Sequence, residues 1–475
     1  MQPSIFNVQV PVGDGREVFL MNTLTDAQLL VSPDVPQLLE RAGQGQSAFT
    51  SEERETLETL TSNGFLVPDR TAEERSLDEY FHNLQHDNDQ LRVTVMTTLQ
   101  CNFACDYCFQ GDHGDYNKHA EKMSLDTARE LVAWVEQRLD EVRPERFFLT
   151  LFGGEPLLNL PVCYFLAEQC HALCEARGVR QLVSIITNGV LLTPEVVSRL
   201  TPYGLFGVKV TIDGDRDTHN RMRPLRGRQG TFDKILENVR RVADMVEVTI
   251  GGNFDESSVD SYPAFLDYLR EQDFADKIVK INFKPIINTK PAAPKGLIPL
   301  TAVSATGQTL GGTCMSGAGA GSNSAGSACD NCHFVDEKMA YLRDETRRRG
   351  FPTIDGVHMG PCEIHRQHAH TIGPKGDLYI CPGFTATTDE STGHINGLSN
   401  GTRRAALERF QALTPRKSEC GDCAFMPVCG GGCSVAAHSE LGDRHAASCH
   451  KKSFEAGVVS LAQKAVASVA AEVVR

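Results

Sequence analysis

The sequence predicts an α/β protein built on a parallel sheet, and three observations carry that prediction. Between Leu91 and Ile286 lie six strand-like segments, LRVTVMTT, FFLTLF, LVSIIT, FGVKVTI, VEVTIG and KIVKINFKPI, rich in β-branched and apolar residues. Amphipathic helical segments such as LDTARELVAWVEQRL and TFDKILENVRRVA separate them. Polar or glycine-rich breaks follow the first four strands. Strands that alternate with helices pair in parallel. Six strands are too few to close an eight-stranded barrel, so the pattern leaves an open partial barrel or a doubly wound sheet.

The flanking elements are smaller. Residues 1–70 read as an α+β unit: FNVQV and EVFLMN alternate, GDG (Gly13 to Gly15) turns, and VPQLLERAG has helical spacing. Thr50 and Ser51 are good N-caps for TSEERETLETLTSNG, with Glu52 and Glu53 in the first turn and Gly64 beyond the end. A short strand, FLV, follows. Residues 71–90 are highly charged and read as a linker. Residues 290–335 are rich in Gly, Ser and Ala, as expected of a flexible insertion or linker, and carry Cys314, Cys329 and Cys332. Residues 453–475 close the chain with an amphipathic helix.

The chain has 475 residues, 41% of them hydrophobic, enough for a large core. Its N-terminus, MQPSIFNVQV, lacks a basic stretch followed by an apolar run, and no run of about 18 apolar residues occurs. A cytoplasmic protein without signal peptide or membrane partner is expected. A net charge of −14 argues against a nucleic-acid partner. Sixteen cysteines in a reducing compartment point to metal or cluster ligation. Cys163, Cys170 and Cys174 fall in a helical pattern and read as small buried hydrophobes.

In LQCNFACDYCFQG, Leu99 to Gly111, Cys101, Cys105 and Cys108 stand at C-x3-C-x2-C spacing. This is one thiolate short of a closed four-ligand site. Zinc would need a fourth donor such as His113. A [4Fe–4S] cube on three thiolates would keep one iron open to a ligand. GGEP (Gly153 to Pro156), TNG (Thr187 to Gly189) and DGD (Asp213 to Asp215) follow strands two to four. The carboxyl ends of parallel strands are where such sheets place ligands. Taken singly, each break also reads as an ordinary turn.

CNFACDYC, with the companion breaks in that order, resembles the radical S-adenosylmethionine (SAM) superfamily. The resemblance implies a partial (β/α)6 TIM-like barrel over 91–289, with Cys101, Cys105 and Cys108 as the catalytic cluster ligands. It implies that SAM chelates the open iron and is cleaved reductively to a 5′-deoxyadenosyl radical, with flavodoxin or ferredoxin as electron donor. Carried over by motif, the SAM contacts would be Gly153, Gly154 and Glu155, Asn188 of TNG, Thr211 of VTIDG and Arg223 of HNRMR. Tyr107 would lie near the adenine through its backbone.

Downstream, CEIHRQHAHTIGPKGDLYIC, CGDCAFMPVCGGGC and Cys449 resemble the seven-cysteine SPASM domain, here over 336–452. That domain implies two auxiliary clusters, three [4Fe–4S] clusters in all. Cys362, Cys381 and Cys433 would bind the first, and Cys420, Cys423, Cys429 and Cys449 the second. Sulfatase-maturing relatives carry a cysteine where this chain has His368. The first auxiliary cluster would therefore have an open iron, a histidine from His365, His368 or His370, or Cys329 or Cys332. The three histidines read equally well as a solvated surface run. Zinc is the alternative for C-x2-C-x5-C-x3-C. Pro382 follows Cys381, where formylglycine-forming maturases carry an aspartate, so a proton-accepting carboxylate would come from elsewhere, such as Asp377 or Asp389.

Residues 1–70 resemble the winged-helix element of the PqqD family, which holds the leader of a precursor peptide. Together the resemblances imply a maturase of a ribosomally synthesised peptide that makes an intrapeptide crosslink, a thioether, C–C or C–O bond. The alternatives are a protein maturase of the anaerobic sulfatase or amine dehydrogenase thioether type, and a zinc-stabilised binding protein without catalysis.

Overall fold

The computed structural model describes the chain except for residues 47, 111–120, 287–329, 355–356, 358–360, 386–389, 398–419, 421, 442, 445 and 474–475. Five strands belong to the N-terminal region: β1 (Gln2–Pro3), β2 (Asn7–Val12), β3 (Glu17–Asn22), β4 (Gln28–Val31) and β5 (Leu66–Val67). Six longer strands follow: β6 (Gln90–Thr98), β7 (Arg146–Gly153), β8 (Arg180–Thr187), β9 (Leu205–Thr211), β10 (Glu247–Phe254) and β11 (Ile278–Pro285). All six pair in parallel, in the order of the sequence from β6 to β11. A doubly wound sheet reverses its strand order at a switch point. This one does not reverse, which leaves the open partial barrel.

Period-2 burial explains why these segments are strands. Leu91, Val93 and Val95, Phe147, Leu149 and Leu151, and Val208 and Val210 point outward into one apolar core beneath the helices. Arg92, Thr94, Thr150, Ser184, Lys209 and Thr211 alternate with them and face the concave side. The helix Leu125–Val142, capped by Ser124, and the helix Leu160–Glu175 cover that outer face. Cys163, Cys170 and Cys174 are buried in the second helix as packing residues.

The sheet continues beyond the barrel. Strand β12 (Ala369–Ile372) adds in parallel to β6, with Ala369 opposite Arg92 and Ile372 opposite Val95. β13 (Asp377–Tyr379) and β14 (Gly393–His394) extend it antiparallel. The C-terminal cysteine region is thereby joined to the barrel by backbone hydrogen bonds.

β2, β3 and β4 form an antiparallel sheet. Helices Asp34–Gly43 and Ser51–Ser62 follow, the latter with a full capping box between Thr50 and Glu53. The stretch expected to be a linker, 71–90, instead carries the helix Arg70–Gln85, capped by Asp69. Its apolar residues Leu77, Tyr80, Phe81 and Leu84 recur at helical spacing and pack with Phe6 and Met426. Buried Glu73 accepts from the Ser4 hydroxyl and the Ile5 N–H and pairs with Arg70. A neighbouring cluster joins Phe19 and Met21 of β3 to Phe425, Val428, Val458 and Ala462. The N-terminal sheet thus packs on the C-terminal cysteine region.

Most of the Gly/Ser/Ala-rich stretch 290–335 lies outside the described residues, with Cys314, Cys329 and the Cys332 side chain. Its last residues are not a linker: the helix Asp330–Arg348 begins there and packs on β11 and on the closing helix Lys451–Val473. No helix among the described residues is long and apolar enough to cross a membrane.

Candidate active site

The three-cysteine loop leaves the carboxyl end of β6 and is held from both sides. On one side Phe103 bridges Leu225, the Ala104 N–H donates to Pro224 O and the Arg226 N–H to Asn102 O. On the other, the Gly154 N–H donates to Thr98 O and the Glu155 N–H to Gln100 O, both at 2.8 Å. A Cβ on Gly153 would stand 2.2 Å from Thr98 O, and one on Gly154 2.2 Å from Gln100 O. Only glycine lets the β7 turn approach the cysteine loop so closely.

Glu155 is fully buried behind this contact. Its carboxylate accepts from Thr187 Oγ1 (2.8 Å), the Asn188 N–H (2.8 Å) and the Leu157 N–H (3.1 Å). Burial outweighs these donors and pushes its pKa up to about 7. Asn188 Nδ2 donates to Asn102 Oδ1 at 2.8 Å, tying the end of β8 to the cysteine loop. Thr211 ends β9 opposite Gly251.

Tyr107 turns its phenol into the barrel. It donates to buried Asp213 and accepts from Arg223 Nη1 and from Asn253 Nδ2 (3.2 Å). The Asn253 N–H donates to the other oxygen of Asp213 at 2.7 Å. Arg223 lies 3.4 Å from Asp213. Burial disfavours the Arg223 charge, but Tyr107, Cys105 and Asp213 around it more than offset that and keep it a cation. Arg223 Nε has no hydrogen-bond partner. His219 accepts from the Asp213 N–H and bonds Thr231, and burial holds its pKa well down, so it braces the network as a neutral ring. In the sequence Asp213 stands out only as the start of the DGD break, without a role; Asn102 lies within the cysteine motif, and Asn253, inside β10, carries no signal.

The cysteines expected to act together are neighbours. Cys101, Cys105 and Cys108 lie within electrostatic reach of one another, and burial pushes the thiols of Cys101 and Cys105 up to about 11 and about 12. Cys381 has both Cys362 and Cys433 beside it, and burial pushes its thiol to about 12. Cys429 has Cys420, Cys423 and Cys449 beside it. Gly432 makes the last approach possible: a Cβ there would stand 1.9 Å from Ser448 O. Lys284, at the carboxyl end of β11, lies within reach of Cys362 and Cys381. Cys362 and Cys381 therefore lie on the side of the barrel where β11 ends.

The residues present fit iron–sulfur clusters. The backbone N–H two residues onward is directed at the sulfur of Cys101, Cys108, Cys362, Cys381 and Cys429. Such donors stabilise a thiolate, and only a bound cation offsets the burial that otherwise keeps these thiols protonated. Among the described residues, no three His, Cys, Asp or Glu groups converge on a single metal ion.

The histidine run is not a solvated stripe. His365 is buried and packs near Phe81, and a Cβ on Gly430 would meet its Nε2 at 2.7 Å. His368 bonds Asn88 at 2.8 Å on the exposed side. His370 packs edge-on against Trp134, away from the cysteines. Asp377 sits in β13 opposite His394. His113 and Asp389 lie outside the described residues.

Residues 95–255 match the family model of the Radical SAM superfamily. The match spans most of the barrel strands and about a third of the chain. The chain is 28% identical over 210 residues to Fe-coproporphyrin III synthase of Methanosarcina barkeri, a match over 43% of this chain and 47% of that one. It is 24% identical over 362 residues to the mycofactocin maturase MftC of Mycobacterium tuberculosis, over 72% of this chain and 78% of that one. The chain thus spans about half the length of the first relative and most of the second. Among solved structures, anSMEcpe with bound AdoMet shares the fold, at a TM-score of 0.57 and 16% identity, over 79% of this chain and 98% of that one.

Proposed function

We propose that the protein is a radical SAM maturase that modifies a ribosomally synthesised peptide, forming an intrapeptide crosslink. The observation that carries this reading is the presence of cysteines from both groups at the carboxyl ends of the barrel strands: the strand-end loop with Glu155, Asn188 and Arg223 after β6, and Cys362 and Cys381 beside Lys284 where β11 ends. Substrate entering the barrel between them would meet both. The likeness to a maturase, MftC, over most of both chains agrees with it, as does the solved structure of anSMEcpe with AdoMet and the Kp18Cys peptide.

In this reading Cys101, Cys105 and Cys108 hold the catalytic [4Fe–4S] cluster. Cys362, Cys381 and Cys433 hold one auxiliary cluster, and Cys420, Cys423, Cys429 and Cys449 another. When bound, the catalytic cluster and SAM supply one-electron reduction and hydrogen abstraction from an unactivated carbon. The chain's own residues bind and orient. Glu155, titrating near neutrality, accepts the SAM ammonium, and Arg223, fixed by Asp213 and Tyr107, faces its carboxylate. Gly153 and Gly154 keep the turn close, while Thr211 and Asn188 line the strand ends. The N-terminal region, a PqqD-like element in this reading, holds the peptide leader against the C-terminal SPASM region, and flavodoxin or ferredoxin supplies electrons.

Co-expression with small peptides encoded beside the gene, followed by mass spectrometry, tests the proposal. A loss of two hydrogens from one peptide, dependent on the enzyme, is expected. An anaerobically purified protein that is colourless, binds zinc and never forms 5′-deoxyadenosine from SAM would overturn it.

A further inference from the structure

The concave face of the barrel carries a half-buried cation, Lys209, that nothing in the site accounts for. Lys209 lies in β9 between Val208 and Val210, which are buried outward, so its side chain projects into the lumen. Its stem runs over Gly251 of β10: a Cβ on that glycine would meet Lys209 Cε at 2.6 Å and Nζ at 3.5 Å. The ammonium is thus directed along the barrel toward the mouth. Lys284 stands at that mouth opposite Asn253, the residue that bonds Tyr107 and Asp213. Asn282, opposite Gly251 on the same face, has a buried side-chain oxygen with no hydrogen-bond partner. Among the described residues, neither lysine has an ion-pair partner, although the chain as a whole is strongly acidic.

A half-buried lysine with no ion-pair partner among the described residues, Lys209, is costly without a ligand, because a charge leaving water needs a counter-charge or hydrogen bonds, and the exposed Lys284 at the mouth adds a second cation on the same face. Lys284 has the Cys362 and Cys381 thiols near it and would serve that group in part. Among the described residues, Lys284 is the charged neighbour that acts on Lys209. Burial, and then that neighbour, hold its pKa down to about 8, so it still carries a proton at neutral pH.

We infer that Lys209 and Lys284 form a carboxylate-binding subsite in the barrel lumen, which seats an acidic group of the peptide next to the carbon that is modified. The inference rests on the maturase reading and names its substrate class: a peptide that presents a carboxylate within the barrel, from a Glu or Asp side chain or from its own C-terminus. The subsite adjoins the Tyr107–Asp213–Arg223 network through Asn253, one register position away, so binding there brings the neighbouring carbon to the catalytic loop. A side chain at Gly251 would meet the Lys209 stem and shift it.

The test uses anaerobically reconstituted holoenzyme saturated with SAM, titrated calorimetrically with four acetylated hexapeptides. The peptides are Gly-Gly-X-Gly-Gly-Gly with Glu or Gln at X, each with a free-acid or an amidated C-terminus. A charge-assisted contact predicts at least about tenfold tighter binding of one member of a pair. Glu over Gln assigns the side chain as the source, and acid over amide assigns the terminus. The preference should disappear in Lys209→Met and weaken several-fold in Lys284→Met, with iron content confirming that each variant is assembled. Should Lys209→Met fail to assemble, the Lys284→Met result stands in its place. Equal binding of all four peptides, absence of binding by all four, or a preference unchanged in the assembled variants would overturn the inference. Failure of the wild-type enzyme to form 5′-deoxyadenosine would instead defeat the maturase reading.

Discussion

The two cysteine regions are built by opposite means. The first hangs from a long parallel strand and is held by backbone hydrogen bonds to its neighbours on both sides, the β7 turn and the Pro224–Arg226 segment. The second is assembled from short turns: the 3-10 helices Glu363–His365 and Pro382–Phe384, the single turn Met426–Cys429 and a loop at Ser448. Its regular anchorage is β12 on the sheet edge and the apolar clusters shared with the N-terminal sheet. A loop on a rigid scaffold is preorganised, whereas a site made of turns depends on its ligand for order. The first region is therefore set by the fold, whereas in the proposed reading the second takes its order from the clusters it would bind.

Removal of metal should expose this difference most strongly. Chelation of the anaerobic protein is expected to abolish amide-exchange protection through residues 420–433 and around Cys362, Cys381 and Cys449, while β6 to β11 remain protected. Equal loss in both regions would show that the barrel, too, needs its cluster to fold.

Gly154→Ala attacks the preorganised side. The added Cβ would stand 2.2 Å from Gln100 O, so the β7 turn and the cysteine loop must part, at a cost of about 1–3 kcal/mol. Iron at the first loop is expected to fall while the seven downstream cysteines keep theirs, as read by iron content and electron paramagnetic resonance of the reduced protein. Loss from the downstream group alone would contradict the assignment of this contact.

A smaller effect follows from Glu155. Its pKa rises from 4.5 to about 7 on burial, so the folded chain holds this proton more tightly than the unfolded chain. The contribution to stability is present below pH about 4.5 and is lost as pH rises through about 7, a change on the order of 3 kcal/mol. Equilibrium urea unfolding of the metal-free protein should show that decline in the wild type and a flatter profile in Glu155→Gln. Parallel profiles would remove Glu155 as its source.

The barrel was legible because its strands follow a two-residue period, with Leu91, Val93 and Val95 or Val208 and Val210 buried on one face. The cysteine groups were legible from their spacing, and the glycine pair at 153–154 from its place after a strand. Three features were not. The helix Arg70–Gln85 reads as a charged linker because its narrow apolar stripe, Leu77, Tyr80, Phe81 and Leu84, is spread among acids and arginines, and its worth depends on Phe6 and Met426 far away in sequence. Strand β12 is four residues long, and pairing with β6 on one side and β13 on the other makes it a strand. The Tyr107 phenol and the Lys209 ammonium take their meaning from neighbours on other strands, which no local pattern reveals.

The most direct test is the triple variant Cys101→Ala, Cys105→Ala, Cys108→Ala, purified anaerobically and assayed with SAM and dithionite. It is expected to lose formation of 5′-deoxyadenosine by at least about a hundredfold while retaining the iron and sulfide bound through residues 362–449. Undiminished cleavage of SAM, or loss of all iron together with the first loop, would contradict the assignment of catalysis to the first cysteine loop and of a separate cluster-binding role to the second.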